Sequence, residues 1–145
     1  MKSVIQRVTK ASVSISGEVY SSINNGMLIL FGVEKGDNEE KLDWMVSKVL
    51  SLRFFEDKNG KMNRSITDIS GEILVVSQFT LASDCKKGTR PSFDNAQDPV
   101  KAKAMYELFV SRLSASGVNV KTGVFAAMMQ VSLCNNGPVT FVLSK

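Results

Sequence analysis

Three short segments carry the residues from which this chain could build chemistry. Ser77-Gln78-Phe79-Thr80-Leu81 ends a hydrophobic run in two hydroxyls and an amide, just before a long polar stretch. At a strand end beside a loop, such hydroxyls and the backbone N–H groups are available to a ligand. Lys86-Lys87-Gly88-Thr89-Arg90-Pro91-Ser92-Phe93 places Lys86, Lys87 and Arg90 around a glycine that permits close backbone approach, a pattern suited to phosphates. Asn136-Gly137-Pro138-Val139-Thr140 offers its backbone instead. An X-Pro bond is cis in about 5–6% of folded cases, and a cis bond aims two successive carbonyls the same way. Paired carbonyls accept hydrogen bonds from an ammonium group without any side chain. Each segment also has a plainer reading by composition: Thr80 as a β-branched strand residue, the basic segment as a solvated loop, and the Gly-Pro segment as a turn into a last strand.

The residues that are missing constrain the chemistry further. The chain has no histidine, which removes Ser-His-Asp and Cys-His arrangements and any His-ligated zinc or iron site. Its two cysteines, Cys85 and Cys134, are far apart and form no CxxC pair, so a cysteine-only metal site is excluded too. No metal or other cofactor is expected. Cys85 has no base nearby to activate it. An enzyme built from these residues has a weak general base, or one that is not a protein side chain. The 18 Lys and Arg against 14 Asp and Glu give a net charge of +4, mildly basic, with no long like-charge run. That balance allows an anionic partner but speaks against a basic nucleic-acid-binding tail.

The elements that must position these segments follow from periodicity. Ala11 to Ser16 alternates apolar and polar as a half-buried strand does, with Gly17-Glu18 as a hairpin turn and Val19 to Ile23 returning. After Asn24-Asn25-Gly26, Met27 to Val33 is a continuous apolar strand, which implies burial on both faces. Asp37, with Glu40 three residues on, reads as the N-cap of a helix whose Leu42, Met45, Val46 and Val49 share a face. Trp44 lies near that stripe. Arg53 to Glu56 and Glu72 to Leu81 read as strands, and Ser83 to Gln97 as a long polar loop, of the kind that is usually functional or disordered. Asp98-Pro99 starts a second helix through Ala102, Met105, Phe109 and Leu113, ended by Gly117. Val118 to Lys121, Ala127 to Cys134 (holding Met128-Met129) and Val139 to Leu143 read as the last strands, the final two separated by a turn. The 145 residues are expected to form one α+β domain over 1–145, two helices covering mostly antiparallel strands. About eight strands exceed what two helices can cover, so a second copy is expected to bury some sheet surface. The charge in the opening Met1–Arg7 and apolar runs well short of about 20 residues predict a cytoplasmic chain without signal peptide or membrane partner.

Taken together and in this order, the Ser-Gln-Phe-Thr-Leu and Asn-Gly-Pro-Val-Thr runs resemble the two signature motifs of the D-aminoacyl-tRNA deacylases, bacterial type. The resemblance extends to Val4-Ile5-Gln6-Arg7-Val8, Met62-Asn63, the Lys-Lys-Gly-x-Arg-Pro-Ser-Phe loop and Thr122-Gly123-x-Phe125. It implies a three-layer β-β-α sandwich and a homodimer with active sites at the interface. The implied reaction is metal-independent hydrolysis of the ester between a D-amino acid and the 3′-terminal adenosine of tRNA, including glycine mischarged on alanine tRNA, with no DNA partner. By the same resemblance Gly137 and Pro138, joined by a cis bond, enter the partner's pocket and select chirality, with Arg7 supporting them. Ser77, Gln78, Phe79 and Thr80 form the catalytic segment. Phe125 is expected to help hold the adenosine, and Lys86, Lys87 and Arg90 to contact tRNA. Thr80 is either the nucleophile or a bystander to assistance by the vicinal ribose hydroxyl, with the Phe79 and Thr80 N–H groups stabilising the oxyanion. A catalytically silent dimer that binds the tRNA 3′ end is the alternative. The chain departs from the family pattern at Ala82, at Ala126 and Met128, where glycine and an acidic residue are usual, and at Asn136. Ala126 is expected to narrow the pocket near Phe125.

Overall fold

The computed structural model describes all residues from Met1 to Lys145. The strands are β1 (Lys2–Ile15), β2 (Glu18–Ile23), β3 (Gly26–Gly32), β4 (Phe55–Glu56), β5 (Met62–Arg64), β6 (Glu72–Ser77), β7 (Asn119–Thr122) and β8 (Gln130–Ser144). The helices are α1 (Glu39–Ser51) and α2 (Pro99–Ser114). One six-stranded sheet has the order β2-β1-β3-β6-β7, with β8 also on β1; β4 and β5 form a separate hairpin. Strand β1 is antiparallel to β2, β3 and β8, whereas β3, β6 and β7 run parallel. The architecture is α+β and mostly antiparallel, as expected. The apolar run at Met27 marks the parallel part, which is covered on both faces.

Alternation along the central strands makes two cores. Ile5, Met27, Ile29, Ile73 and Val75 face the helices, where they meet Leu42, Met45 and Val49 of α1 and Tyr106, Phe109 and Leu113 of α2. Phe31 stacks on Phe109 at 4.2 Å. On the opposite face Val8, Val13, Ile23, Leu28, Leu74 and Val76 form the second core. Strand β2 folds over that face and is tied to β7 by the Ser21 Oγ hydrogen bond to the Thr122 carbonyl at 2.7 Å. Helices, central sheet and overlying strands are the three layers.

Several boundaries differ from the sequence reading. The first hairpin turns at Ser16-Gly17, both at positive φ (53° and 87°), rather than at Gly17-Glu18. The α1 cap is Asn38, whose side chain accepts from Lys41 N at 3.0 Å. Asp37 is unavailable for capping, because its carboxylate already accepts from Glu34 N, Lys41 Nζ and the Met1 amino group. Asp98 caps α2 with Pro99 in the first turn, as the sequence predicts. Met128 and Met129 precede β8 rather than lying in a strand; Met128 is exposed, and Met129 packs on the second core. Trp44 packs at the edge of the helix-side core, with Lys48 and Lys145 over its ring. The largest corrections fall at the two motifs. Strand β6 ends at Ser77, and the expected strand through Leu81 is a 3-10 turn over Phe79–Ala82. The last two expected strands are one, β8, which runs through the Gly-Pro segment.

Candidate active site

Strands β3, β6 and β7 are parallel, so their carboxyl ends share one edge of the sheet, the usual place for a ligand in parallel structure. The last rung there is Gln78 N to Phe31 O at 2.8 Å. The chain then crosses the end of β3, where Gly32 makes room: a Cβ at Gly32 would lie 2.8 Å from Gln78 O and 3.0 Å from Leu81 Cβ. The 3-10 turn closes through Leu81 N to Gln78 O, 3.2 Å, and Ser83 N to Thr80 O, 3.1 Å. The N–H groups of Phe79 and Thr80 precede the first of these bonds and have no acceptor within the turn. Both residues are exposed. Both N–H groups are thus left to an acceptor from outside the turn.

The Thr80 hydroxyl accepts a hydrogen bond from Gln78 Nε2 and has no carboxylate, amine or thiolate against it. A side-chain amide fixes the hydroxyl but does not take its proton. Ser77 closes β6, Gln78 precedes the turn and touches Thr80, and Phe79 and Thr80 lie in the turn, with no base among them. At the end of β7, Gly123 N bonds Val75 O at 3.0 Å, which brings Phe125 to the same edge of the sheet. Phe125 packs against Tyr106 with ring centroids 5.9 Å apart and lines a groove of about 430 Å³ with Tyr20, Lys103 and Val110. Burial, with a smaller effect from Tyr20, raises the Tyr106 phenol above its ordinary pKa, so it stays a donor to Val75 O at 2.9 Å. Lys86, Lys87 and Arg90 project from the loop after the turn, which the Asp84–Ser92 bridge closes.

The Gly-Pro segment is built differently. Along β8, Asn135 pairs with Val8 and Thr140 with Gln6, so residues 136–139 stand opposite Arg7 alone, as a bulge. Asn135 fastens both ends of it: Oδ1 accepts from Val139 N, and Nδ2 donates to Thr140 Oγ1, each at 2.8 Å. Arg7, 5% exposed, donates through Nε to Asn136 O and through Nη1 to Phe54 O, both at 2.9 Å, and pairs with Glu56 at 3.3 Å. The Gly137-Pro138 bond is cis, and Gly137 has φ +134°, a conformation L side chains rarely adopt. Beside it, Asp57 holds the β4–β5 turn through Asn63 Nδ2, Lys61 N and Asn59 N, which keep its carboxyl below the usual pKa. That support is present above the ordinary aspartate pKa and is lost as pH falls through the lowered one. Asn135 and Glu56 escape sequence reasoning, since neither has a pattern of its own. Phe93, a lone aromatic in a polar loop, is the one missed residue that sequence could have flagged.

These two constructions are not neighbours within a chain. Arg7 pairs with Met27 near the start of β3, while Ser77 pairs with Phe31 near its end. Four residues along the strands is roughly 13 Å, and three strand spacings from β8 to β6 is about 14 Å. The bulge, midway along the edge strand β8, and Thr80, just past the end of β6, are therefore well apart within one chain.

A family model described as D-Tyr-tRNA(Tyr) deacylase matches residues 4–144. The chain belongs to this family. Among its deacylase relatives, a D-aminoacyl-tRNA deacylase of Desulfitobacterium hafniense is 54% identical over 99% of this chain and 96% of its own. Another of that name from Pelobacter propionicus is 53% identical over the whole of both chains, and one from Persephonella marina is 56% identical over 99% of this chain and 97% of its own. A solved structure named c-Myc DNA Unwinding Element Binding Protein superposes with a TM-score of 0.95 at 42% identity, covering 100% of this chain and 99% of its own. A probable eukaryotic D-amino acid tRNA deacylase, 17% identical, shares the fold with a TM-score of 0.83 over 98% of this chain and 97% of its own.

Against the deacylase pattern, Ala126 stands out. It has φ +62°, where the usual glycine of this family carries no Cβ penalty. Its side chain is exposed and does not line the groove beside Phe125. Relieving the left-handed conformation is worth about 1–2 kcal/mol, less about 0.5–1 for the entropy of an added glycine. Ala126→Gly is therefore expected to raise the urea midpoint, for a net gain of about 0.5–1 kcal/mol at unchanged slope.

Proposed function

We propose that this chain, as a single deacylase domain over 1–145, hydrolyses the ester between a D-amino acid and the 3′-terminal adenosine of tRNA in the cytoplasm. Family membership supports the reaction. The single observation that carries the site assignment is the separation of the two motifs within one chain. A site that uses both takes the Phe79–Thr80 donors from one chain and the Gly137-Pro138 bulge from another, so the working unit is a homodimer. The exposed surface agrees with a second copy: β8 has an unpaired edge, and Val142, 70% exposed, lies beside Val4 on β1.

In this arrangement the exposed carbonyls of the bulge hold the substrate's ammonium group. An L side chain would point into the pocket wall and clash, a D side chain points outward, and glycine passes. Such a filter works by rejection, so it tolerates many D side chains and also clears glycine mischarged on alanine tRNA. The Phe79 and Thr80 N–H groups take the negative charge that develops on the carbonyl oxygen as water adds. With no base on the Thr80 hydroxyl, the vicinal ribose hydroxyl of the substrate assists the attack. An aminoacyl ester is labile enough for positioning and one oxyanion site to suffice.

The test is incubation with D-Tyr-tRNA and L-Tyr-tRNA. Release of D-tyrosine alone is the expected result; binding without release of either supports the silent tRNA-binding alternative. In single-turnover measurements Thr80→Ala is expected to slow hydrolysis by less than about tenfold. Loss of a true nucleophile costs on the order of 10⁴-fold or more, and a drop of that size would restore Thr80 to the role.

A further inference from the structure

We infer that Phe79 and Phe93, with the basic loop between them, form a stacking subsite for an unpaired nucleotide of the substrate RNA, next to the terminal adenosine. The inference rests on the deacylase reading above and names a part of the substrate that reading leaves without a holder. Phe79 is 60% exposed and Phe93 41% exposed, yet their rings touch, with centroids 5.0 Å apart at 53°. Phenylalanine ordinarily buries its ring, and a touching pair exposed on the single chain offers an apolar platform.

The platform is held in place. Asp84 and Ser92 exchange backbone hydrogen bonds at 2.8 and 2.9 Å, Asp94 N bonds Ser92 Oγ at 3.2 Å, and Ala96 N bonds Phe93 O at 2.9 Å. Phe93 therefore stands on a clamped stem beside Phe79, the residue that adjoins Thr80. Between the stems, Lys86, Lys87 and Arg90 are exposed and none takes part in an ion pair. The nearby anions are Asp84, which accepts from Lys86 N at 2.9 Å, and Asp94. Open aromatic faces beside unpaired cations are the combination that binds single-stranded nucleic acid, with bases on the rings and phosphates on the cations. A base inside a duplex has no free face to offer, so the occupant is an unpaired one.

The experiment compares D-tyrosyl-tRNA with D-tyrosyl adenosine, which lacks every nucleotide but the last. For Phe93→Ala the ratio of KM for the tRNA ester to KM for the adenosine ester is expected to rise about tenfold, within the range for loss of one stacked base. Phe93→Trp should return it. An unchanged ratio overturns the subsite, as does an equal effect on both esters, which would make Phe93 part of the terminal pocket. A second measurement is independent of hydrolysis: filter binding of an uncharged RNA hairpin with a single-stranded 3′ tail, against the same hairpin blunt-ended. Wild type is expected to prefer the tail, Phe93→Ala to lose the preference, and Lys86→Gln with Lys87→Gln to lower the slope of log affinity against log salt by about 1.4. Equal binding of both hairpins by wild type overturns the inference. If neither ester is hydrolysed, the deacylase reading fails, while the tail preference still decides the subsite.

Discussion

Replacing Gly137 with alanine is expected to lower hydrolysis of D-aminoacyl-tRNA by at least about 100-fold while the chain stays folded. A Cβ at Gly137 would fall 2.7 Å from Val139 Cγ2, 3.0 Å from Arg7 Nη2 and 3.1 Å from Val139 N, at φ +134°. Arg7 cannot easily yield, because its guanidinium is already committed to Asn136 O, Phe54 O and Glu56. Val139 is held from the other side by Asn135. The bulge must therefore move, and a shift of about 1 Å in a positioning group costs on the order of 100-fold. Gly137 itself is exposed and outside both cores, so the thermal midpoint should change little.

The same variant tests the site across the interface. Phe79→Pro removes one donor N–H at the start of a turn, where proline is tolerated, and should also be inactive. Mixing the two dead chains in one C2 dimer leaves one intact site per mixed pair, so co-expression should restore about a quarter of wild-type activity. If both motifs served a site within one chain, the mixture would remain dead. That outcome would sink the dimeric site.

The second large effect is on stability. Gly26 begins β3 opposite Glu72 of β6 in the parallel ladder. An added Cβ would sit 1.9 Å from Glu72 O, 2.7 Å from its N and 2.8 Å from its C. These are backbone atoms inside a buried sheet, so no side chain can swing away. Overpacking of an ordinary core costs about 1–3 kcal/mol, and here the ladder itself must separate. Gly26→Ala is expected to cost at least about 3 kcal/mol, a large share of the roughly 5–15 kcal/mol that a domain has in total. Urea unfolding measures it, and a loss under 1 kcal/mol would mean that β3 and β6 can slide apart freely. Because β6 carries the Phe79–Thr80 turn, any soluble product should also be a poor enzyme.

The legible parts of this molecule are those in which local chemistry decides. Asp98-Pro99 can begin a helix in almost any surroundings, and the run from Met27 is too apolar to face water. The candidate site residues are legible only as types, since Ser77, Gln78, Thr80, Gly137 and Pro138 carry the resemblance in order. Their geometry is not. Whether the residues after Ser77 continue as strand depends on Gly32 giving them room to cross, a contact from the far side of the sequence. The Gly-Pro segment reads as a turn because turns are where such residues usually occur. Only the pairing of β8 with both halves of β1 shows it to be a bulge in one long strand. The choice of Asn38 over Asp37 as cap was likewise made elsewhere, by the groups that already occupy Asp37.

The separation of the two motifs within one chain has a consequence for how activity scales. On the proposed reading, a newly made chain holds both halves of a site that it cannot itself close. Below the concentration at which chains pair, specific activity should fall on dilution, as mass action requires of a function that belongs to the pair. At low expression the rate would grow with the square of the chain's abundance rather than in proportion to it.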